Sequence, residues 1–141
     1  MINKQFVMER LLFINSFLQE LHDLALLDKD SFISQKRNAA AAESFLRRTL
    51  EAVFDIGRHI LAKRGYIELS TEYKSIAKGL GEIGVIDKEL SEKLIQMAGY
   101  RNRLVHLYNL ISDEELYNII TSDLKDIENF VSAIKKYISS C

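Results

Sequence analysis

Apolar positions along this chain recur at spacings of three and four, and nowhere alternate as they would in a half-buried strand. Over residues 4–27, Leu11, Ile14, Leu18, Leu21 and Ala25 form an inward stripe, with Phe6, Arg10, Phe13, Phe17 and Leu21 along one edge. A stripe that wide suits a helix with two neighbours. The polar run Asp28-Lys29-Asp30-Ser31 reads as a connection, in which Asp30 or Ser31 is placed to cap a short turn. The longest pattern covers residues 35–64, with Leu46, Leu50, Val53, Phe54, Gly57, Ile60 and Leu61 as its seam and Arg47, Glu51, Asp55 and Arg58 opposite. Ala39 to Ala42 near its start favour helix and allow close packing.

Gly65 is placed to end that helix as a C-cap. A shorter helix follows from Ser70-Thr71-Glu72 to about Gly81, loosened at its end by Gly79, Gly81 and Gly84. These glycines make no phosphate-binding loop, because no strand precedes them and no Gly-Lys-Ser/Thr closes them. Asp87 caps a fourth helix with Leu90, Leu94, Met97 and Ala98 inward. Ser112 and Glu115 have the spacing of a capping box, so the fourth helix must stop near 109–111 and a fifth begins. Its seam is Leu116, Ile119, Ile120, Leu124, Ile127, Val131, Ile134 and Ile138. The expected fold is all-α: a single domain over 1–141, an antiparallel up-and-down bundle of four long helices plus one short one.

Composition adds little to that picture, since 48% apolar and 28% charged residues are ordinary for a globular chain. The absence of proline permits long unbroken helices. Net charge is −1, but residues 36–64 hold seven Lys or Arg against three acids, and residues 112–136 hold six acids against three lysines. A basic helix can steer an anion such as nucleic acid or nucleotide; helices that merely pair inside a bundle show the same segregation. Cys141 is the single cysteine, which rules out an internal disulfide and fits a reducing cytoplasm. The amino-terminal residues are not patterned as a signal peptide and no apolar run is long enough for a membrane span, so a cytoplasmic location with no membrane partner is expected. The three histidines (His22, His59, His106) lack metal-ligand spacing. Asp55 and His59, four apart, are ordinarily a surface hydrogen bond.

One stretch departs from this amphipathic background. Gly99-Tyr100-Arg101-Asn102-Arg103-Leu104-Val105-His106-Leu107-Tyr108-Asn109 crowds Arg, Asn, His and Tyr into two to three helical turns. Arginine grips phosphate bidentately, histidine moves protons near neutral pH, and a phenol both donates and accepts hydrogen bonds. Asn102 and His106 are four apart and share a face, and Arg103 borders it. Arg101 and Tyr108, seven apart, align on a second stripe. Five steps of about 100° leave Arg101 and His106 about 140° apart around the axis. Either the helix loosens after His106 or a second chain supplies the missing side of the site.

The spacing Arg101-x-x-x-x-His106-x-Tyr108, with Asn102 and Val105 inside it, resembles the motif of HepT-like toxins, a branch of the HEPN helical domains. Leu50-Glu51-Ala52-Val53-Phe54-Asp55-Ile56-Gly57-Arg58-His59-Ile60 is similar to the second-helix block of that family. Gly84-Val85-Ile86-Asp87 with Leu90, and Met97-Ala98-Gly99-Tyr100, resemble the approach to its motif. The likeness spans about residues 35–135. Tyr100 stands where Phe is common and Leu107 where Glu is common, and neither touches the polar trio.

The resemblance implies a metal-independent endoribonuclease that needs no cofactor for cleavage and acts as a homodimer, the motif helices of both subunits lining a basic cleft. It implies His106 as general acid or base, Arg101 as the phosphate-holding group and Asn102 as an orienting residue. Asp55 would be an acidic partner, and Arg47, Arg58 and Arg103 would contact RNA. It further implies the toxin of a type VII toxin–antitoxin pair, whose partner, an MntA-like minimal nucleotidyltransferase, uses ATP to transfer AMP to Tyr108. A non-catalytic reading stands beside it: a helical nucleotide- or RNA-binding adaptor that docks a nucleotidyltransferase.

Overall fold

Asn3 starts the first helix by accepting the Phe6 backbone N–H on Oδ1 at 3.0 Å. In the computed structural model, which describes residues 1–106 and 111–141, seven α-helices follow in order among the described residues, with no strand. They are α1 (Lys4–Ala25), α2 (Lys29–Ser34), α3 (Lys36–Lys63), α4 (Tyr73–Glu82), α5 (Lys88–Val105), α6 (Asp113–Ser122) and α7 (Leu124–Ser139), with a 3-10 turn at Ile67–Ser70. The all-α fold class is as expected. α3 lies at the centre, packed on α1, α2, α4, α5 and α6, while α7 leans on α1, α5 and α6.

The expected seams are buried, apart from Ala25, which is half-buried at the end of α1. Leu11, Ile14, Leu18 and Leu21 of α1 meet Leu46, Leu50, Val53, Phe54, Ile60 and Leu61 of α3 in one core with Leu94, Met97, Ile120, Ile127 and Ile134. Phe130, fully buried, belongs to it as well.

Three boundaries differ from the expectation. Residues 29–34 form a true helix, capped by Asp28 rather than Asp30 or Ser31: Asp28 is extended and its Oδ1 accepts the Ser31 N–H at 2.7 Å. The turn exists because Phe32 is fully buried, its ring 5.2 Å from that of Tyr117. Second, the expected fifth helix is two, α6 and α7, meeting at Asp123 (φ −108°, ψ −5°). Thr121, Ser122 and Asp123 are consecutive residues whose side chains compete for backbone groups, and Thr121 Oγ1 donates back to the carbonyl of Tyr117 at 2.8 Å. Three helices, α2, α4 and α6, are therefore short where one was expected.

Third, α5 stops at Val105, a turn before the expected 109–111. His106 is its C-cap, with N–H bonded to the Asn102 carbonyl at 3.2 Å and ψ 116°. Only half of the expected capping box forms. Ser112 Oγ accepts the Glu115 N–H at 3.1 Å, but the Glu115 carboxylate turns to Arg103 instead of returning to Ser112.

Gly65 (φ +87°) ends α3 as expected, and Gly84 (φ +81°) ends α4 in the same way rather than loosening it. At each end the next residue's N–H reaches back five positions: Tyr66 to the Leu61 carbonyl at 2.8 Å, and Val85 to that of Leu80 at 3.0 Å. Gly81 serves packing: a Cβ there would lie 2.6 Å from Ser91 Oγ, the buried hydroxyl that donates to the Ala77 carbonyl at 2.9 Å and holds α5 to α4.

Candidate functional site

Asp87 caps α5, with Oδ1 accepting the Leu90 N–H at 2.8 Å, and burial of Leu90, Leu94, Met97 and Ala98 sets the rotation of that helix. With those four inside, Arg101 lies against α3 and α4 rather than in open water. Its side chain is 19% exposed, and Nε donates to Glu51 Oε1 at 2.5 Å. The guanidinium carbon stands 3.9 Å from the centroid of the Tyr73 ring, a cation–π contact. Tyr73 OH donates to the other oxygen of Glu51 at 3.3 Å. Arg101 Nη1 donates to Asn102 Oδ1 at 3.3 Å.

A row of charges continues along α3. Arg58 lies 5.3 Å from the same Tyr73 ring, donates from Nε to the Ser70 carbonyl at 3.1 Å, and pairs through Nη1 with Asp55 Oδ1 at 3.3 Å. Asp55 Oδ2 accepts Arg10 Nε at 3.3 Å, and the Arg10 guanidinium covers the Phe6 ring at 4.3 Å. The structure thus brings Arg101, Asn102, Asp55 and Arg58 into one half-buried row and adds Glu51, Tyr73 and Arg10, which the sequence reading had not singled out as site residues. Glu51 was visible as a member of the charged stripe of its helix. Nothing in the sequence links it to a residue fifty positions away.

The remaining candidates are placed differently. Arg47 pairs with Glu43 on its own helix at 3.1 Å. Arg103 makes a bidentate pair with Glu115 at 2.5 and 2.7 Å, fastening the end of α5 to the start of α6. The Arg103 hydrogen bonds hold the Glu115 carboxyl below its usual range. Asp55 accepts its hydrogen bonds from arginines, not from His59 as the four-residue spacing suggested. His59 Nε2 accepts the Asn3 N–H at 2.9 Å, and burial, then Lys63 and the amino terminus, push its pKa down, keeping the ring neutral. His106 is exposed at the end of α5. Tyr108 lies outside the described residues.

His106 keeps the helical N–H bond to Asn102, so its Cβ stays nearly in register with α5; its ψ of 116° redirects only the peptide unit beyond its own Cα. At the backbone, then, the five-position spacing that sets Arg101 and His106 about 140° apart around the axis still holds. Tyr100, just before the motif, is half-buried and accepts Gln96 Nε2 at 2.9 Å. Burial, then the charge of Asp123, pushes its phenol up to about 12, so it acts as a neutral group.

A groove of about 820 Å³ between the start of α5 and α7 is lined by Lys93, Asp126, Lys136 and Tyr137 and shares no residue with the arginine row. A site for a polymer needs no such enclosure. Among the described residues no cluster of His, Cys, Asp and Glu is arranged to hold a metal ion, and no described helix is long and apolar enough to cross a membrane.

A family model described as ribonuclease HepT-like matches residues 14–134. The chain belongs to the HepT-like ribonuclease family. It is 27% identical over 129 residues to a tRNA nuclease HepT of Aphanizomenon flos-aquae, covering 92% of this chain and 87% of that one. It is 29% identical over 90 residues to an mRNA nuclease HepT of Shewanella oneidensis, covering 64% and 67%. The fold superposes on a solved tri-AMPylated Shewanella oneidensis HEPN toxin in complex with MNT antitoxin with a TM-score of 0.82 and 22% identity, covering 96% of this chain and 99% of that one. At that identity the match establishes a shared HEPN fold.

Proposed function

We propose that this HepT-like chain is an endoribonuclease that cleaves RNA without a metal ion, the toxin of a pair whose antitoxin is an MntA-like nucleotidyltransferase. The observation that carries the reading is an exposed His106 at the end of the same helix whose Arg101 is already held in a defined orientation. Membership of the HepT-like family and the tRNA and mRNA nucleases among its relatives support it.

Cleavage by the ribose moves one proton off and one proton on. The 2′-oxygen loses its proton and attacks phosphorus, the P–O5′ bond breaks, and the leaving 5′-oxygen takes a proton. The products are a 2′,3′-cyclic phosphate and a 5′-hydroxyl. The imidazole of His106 serves either transfer. Arg101 binds the phosphate and stabilises the charge that grows on its oxygens, Asn102 orients the group, and Arg58 and Arg47 track the backbone.

One chain aims His106 and Arg101 apart, so the reading includes a homodimer in which each subunit supplies what the other aims away. The outer edge of α1 adjoins the arginine row. There Phe13, 50% exposed, stacks on Phe17 beside Arg10, which offers an apolar surface to a second copy. AMP transfer from ATP to Tyr108 would add bulk and negative charge two residues past His106, blocking access and occupying Arg101. The tri-AMPylated state of the Shewanella toxin supports that regulation.

The test is cleavage of RNA by the purified chain in EDTA. His106→Ala should abolish it while the circular dichroism spectrum stays helical. Undiminished cleavage by a folded His106→Ala variant would remove the mechanism, and tight RNA binding without cleavage by the wild type would favour the adaptor reading. Intact mass after co-expression with the nucleotidyltransferase should rise by whole AMP units mapping to Tyr108.

A further inference from the structure

Two of the groups that orient the Arg101 guanidinium come from outside the motif stretch: Glu51 from α3 and Tyr73 from the first turn of α4. The ring lies under the plane of the guanidinium at 3.9 Å. Glu51 takes Nε at 2.5 Å, which fixes rotation within that plane. Its second oxygen is held by the Tyr73 hydroxyl at 3.3 Å, so carboxylate and ring brace each other. The bonds to Glu51 and Asn102 use two of the five N–H donors of Arg101. Bidentate contact with a phosphate demands a set direction, because the guanidinium fork is planar and rigid.

We infer that Glu51 and Tyr73 are positioning residues for RNA cleavage: the cradle they form sets the plane and direction of the Arg101 guanidinium before RNA arrives. The inference rests on the reading of Arg101 as the phosphate-binding group. It makes a prediction opposite in sign to simple electrostatics. A carboxylate beside an anion site repels the anion and competes for the arginine, so removing its charge ought to tighten RNA binding. Positioning requires instead that the chemical step suffer, since a misaimed group loses its advantage in the transition state.

The experiment is steady-state cleavage by Glu51→Gln, Tyr73→Phe and Tyr73→Leu in the full chain, with thermal unfolding measured in parallel. Glu51→Gln, which is isosteric, should lower kcat about tenfold or more with KM unchanged or lower. Tyr73→Phe keeps the ring but loses the hydroxyl that braces Glu51, so its kcat should fall between those of wild type and Tyr73→Leu, which should resemble Glu51→Gln. A folded Glu51→Gln variant whose kcat equals or exceeds that of the wild type overturns the inference and leaves the ribonuclease reading intact. Should the wild type cut no RNA, the ribonuclease reading fails and a second measurement decides the cradle. That measurement follows the Arg101 Nε–H NMR signal, assigned with Arg101→Lys, through titration with a 2′-O-methyl RNA oligomer. A slowly exchanging signal that shifts with the oligomer and disappears in Glu51→Gln supports positioning. A signal that behaves alike in both proteins overturns it.

Discussion

Alanine at Gly57 would place a methyl group where α3 and α4 touch. Its Cβ would lie 2.6 Å from Ile76 Cγ2 and 3.0 Å from Leu80 Cδ1. Ile76 and Leu80 are 0% and 1% exposed, so neither can swing out to make room. Two effects oppose each other. Alanine is the better helix residue by about 1 kcal/mol, whereas an extra methyl wedged into a packed contact costs about 1–3 kcal/mol. Contact distances this short put the second effect near its upper end, so Gly57→Ala should destabilise the fold by about 1–2 kcal/mol net.

Gly99 provides the control, because no described atom lies within 4 Å of a Cβ built there. In α5 only helix propensity acts, and Gly99→Ala should stabilise by about 0.5–1 kcal/mol. Urea unfolding followed by circular dichroism reads both; an unchanged m-value makes the shift in midpoint a shift in stability. The same substitution in two helices should move the midpoint in opposite directions. A Gly57→Ala protein as stable as the wild type, or more so, would refute the close α3–α4 approach. Ile76 follows Tyr73 by one turn, so the same wedge should also disturb the ring beneath Arg101 and reduce cleavage well below the unfolding transition.

The Glu115 carboxyl, held low by Arg103, adds stability above the unfolded carboxylate pKa of about 4.3 and loses it as pH falls through the lower folded value. With a side-chain exposure of 36%, solvent screening keeps that contribution under about 1 kcal/mol. Glu115→Gln should therefore be less stable than wild type at neutral pH and indistinguishable in strong acid; a gap that survives acid contradicts the pairing. His59 has the same sign for a different reason. Its depressed pKa means that the unfolded chain binds the proton more readily, so stability is full above about pH 6.5 and falls as pH drops through the folded value. His59→Gln should flatten the slope between neutral and mildly acidic pH in urea titrations, and an unchanged slope would remove His59 as its source. For RNA, Arg58→Ala should weaken binding about equally across sequences and reduce the slope of log affinity against log salt by about one; anisotropy measured over a salt series would show it, and an unaltered slope would take Arg58 off the backbone path.

How much of this could be read from residues alone depends on how far apart the interacting groups lie. The buried seams of α1, α3, α5, α6 and α7, the Asp87 and Ser112 caps and the Gly65 stop are consequences of neighbours three to five positions away. Helical geometry converts those spacings directly into faces and ends. The Arg101-to-His106 spacing and its likeness to the HepT motif were legible for the same reason, because the motif is local. Boundaries were harder: the division at Asp123 and the early end of α5 arise where weak local preferences meet packing from other helices.

The surroundings of Arg101 were decided by tertiary structure. Glu51 and Tyr73 lie fifty and twenty-eight positions before it, and no periodicity relates residues on three different helices. Arg103 and Arg101 look equivalent in the sequence, yet one is spent on Glu115 and the other is aimed between a carboxylate and a ring. Local spacing determines which face of a helix a side chain occupies. Which other helix that face meets depends only on how the buried seams fit together, since hydrophobic burial is non-directional and carries no information about the charged groups it brings side by side.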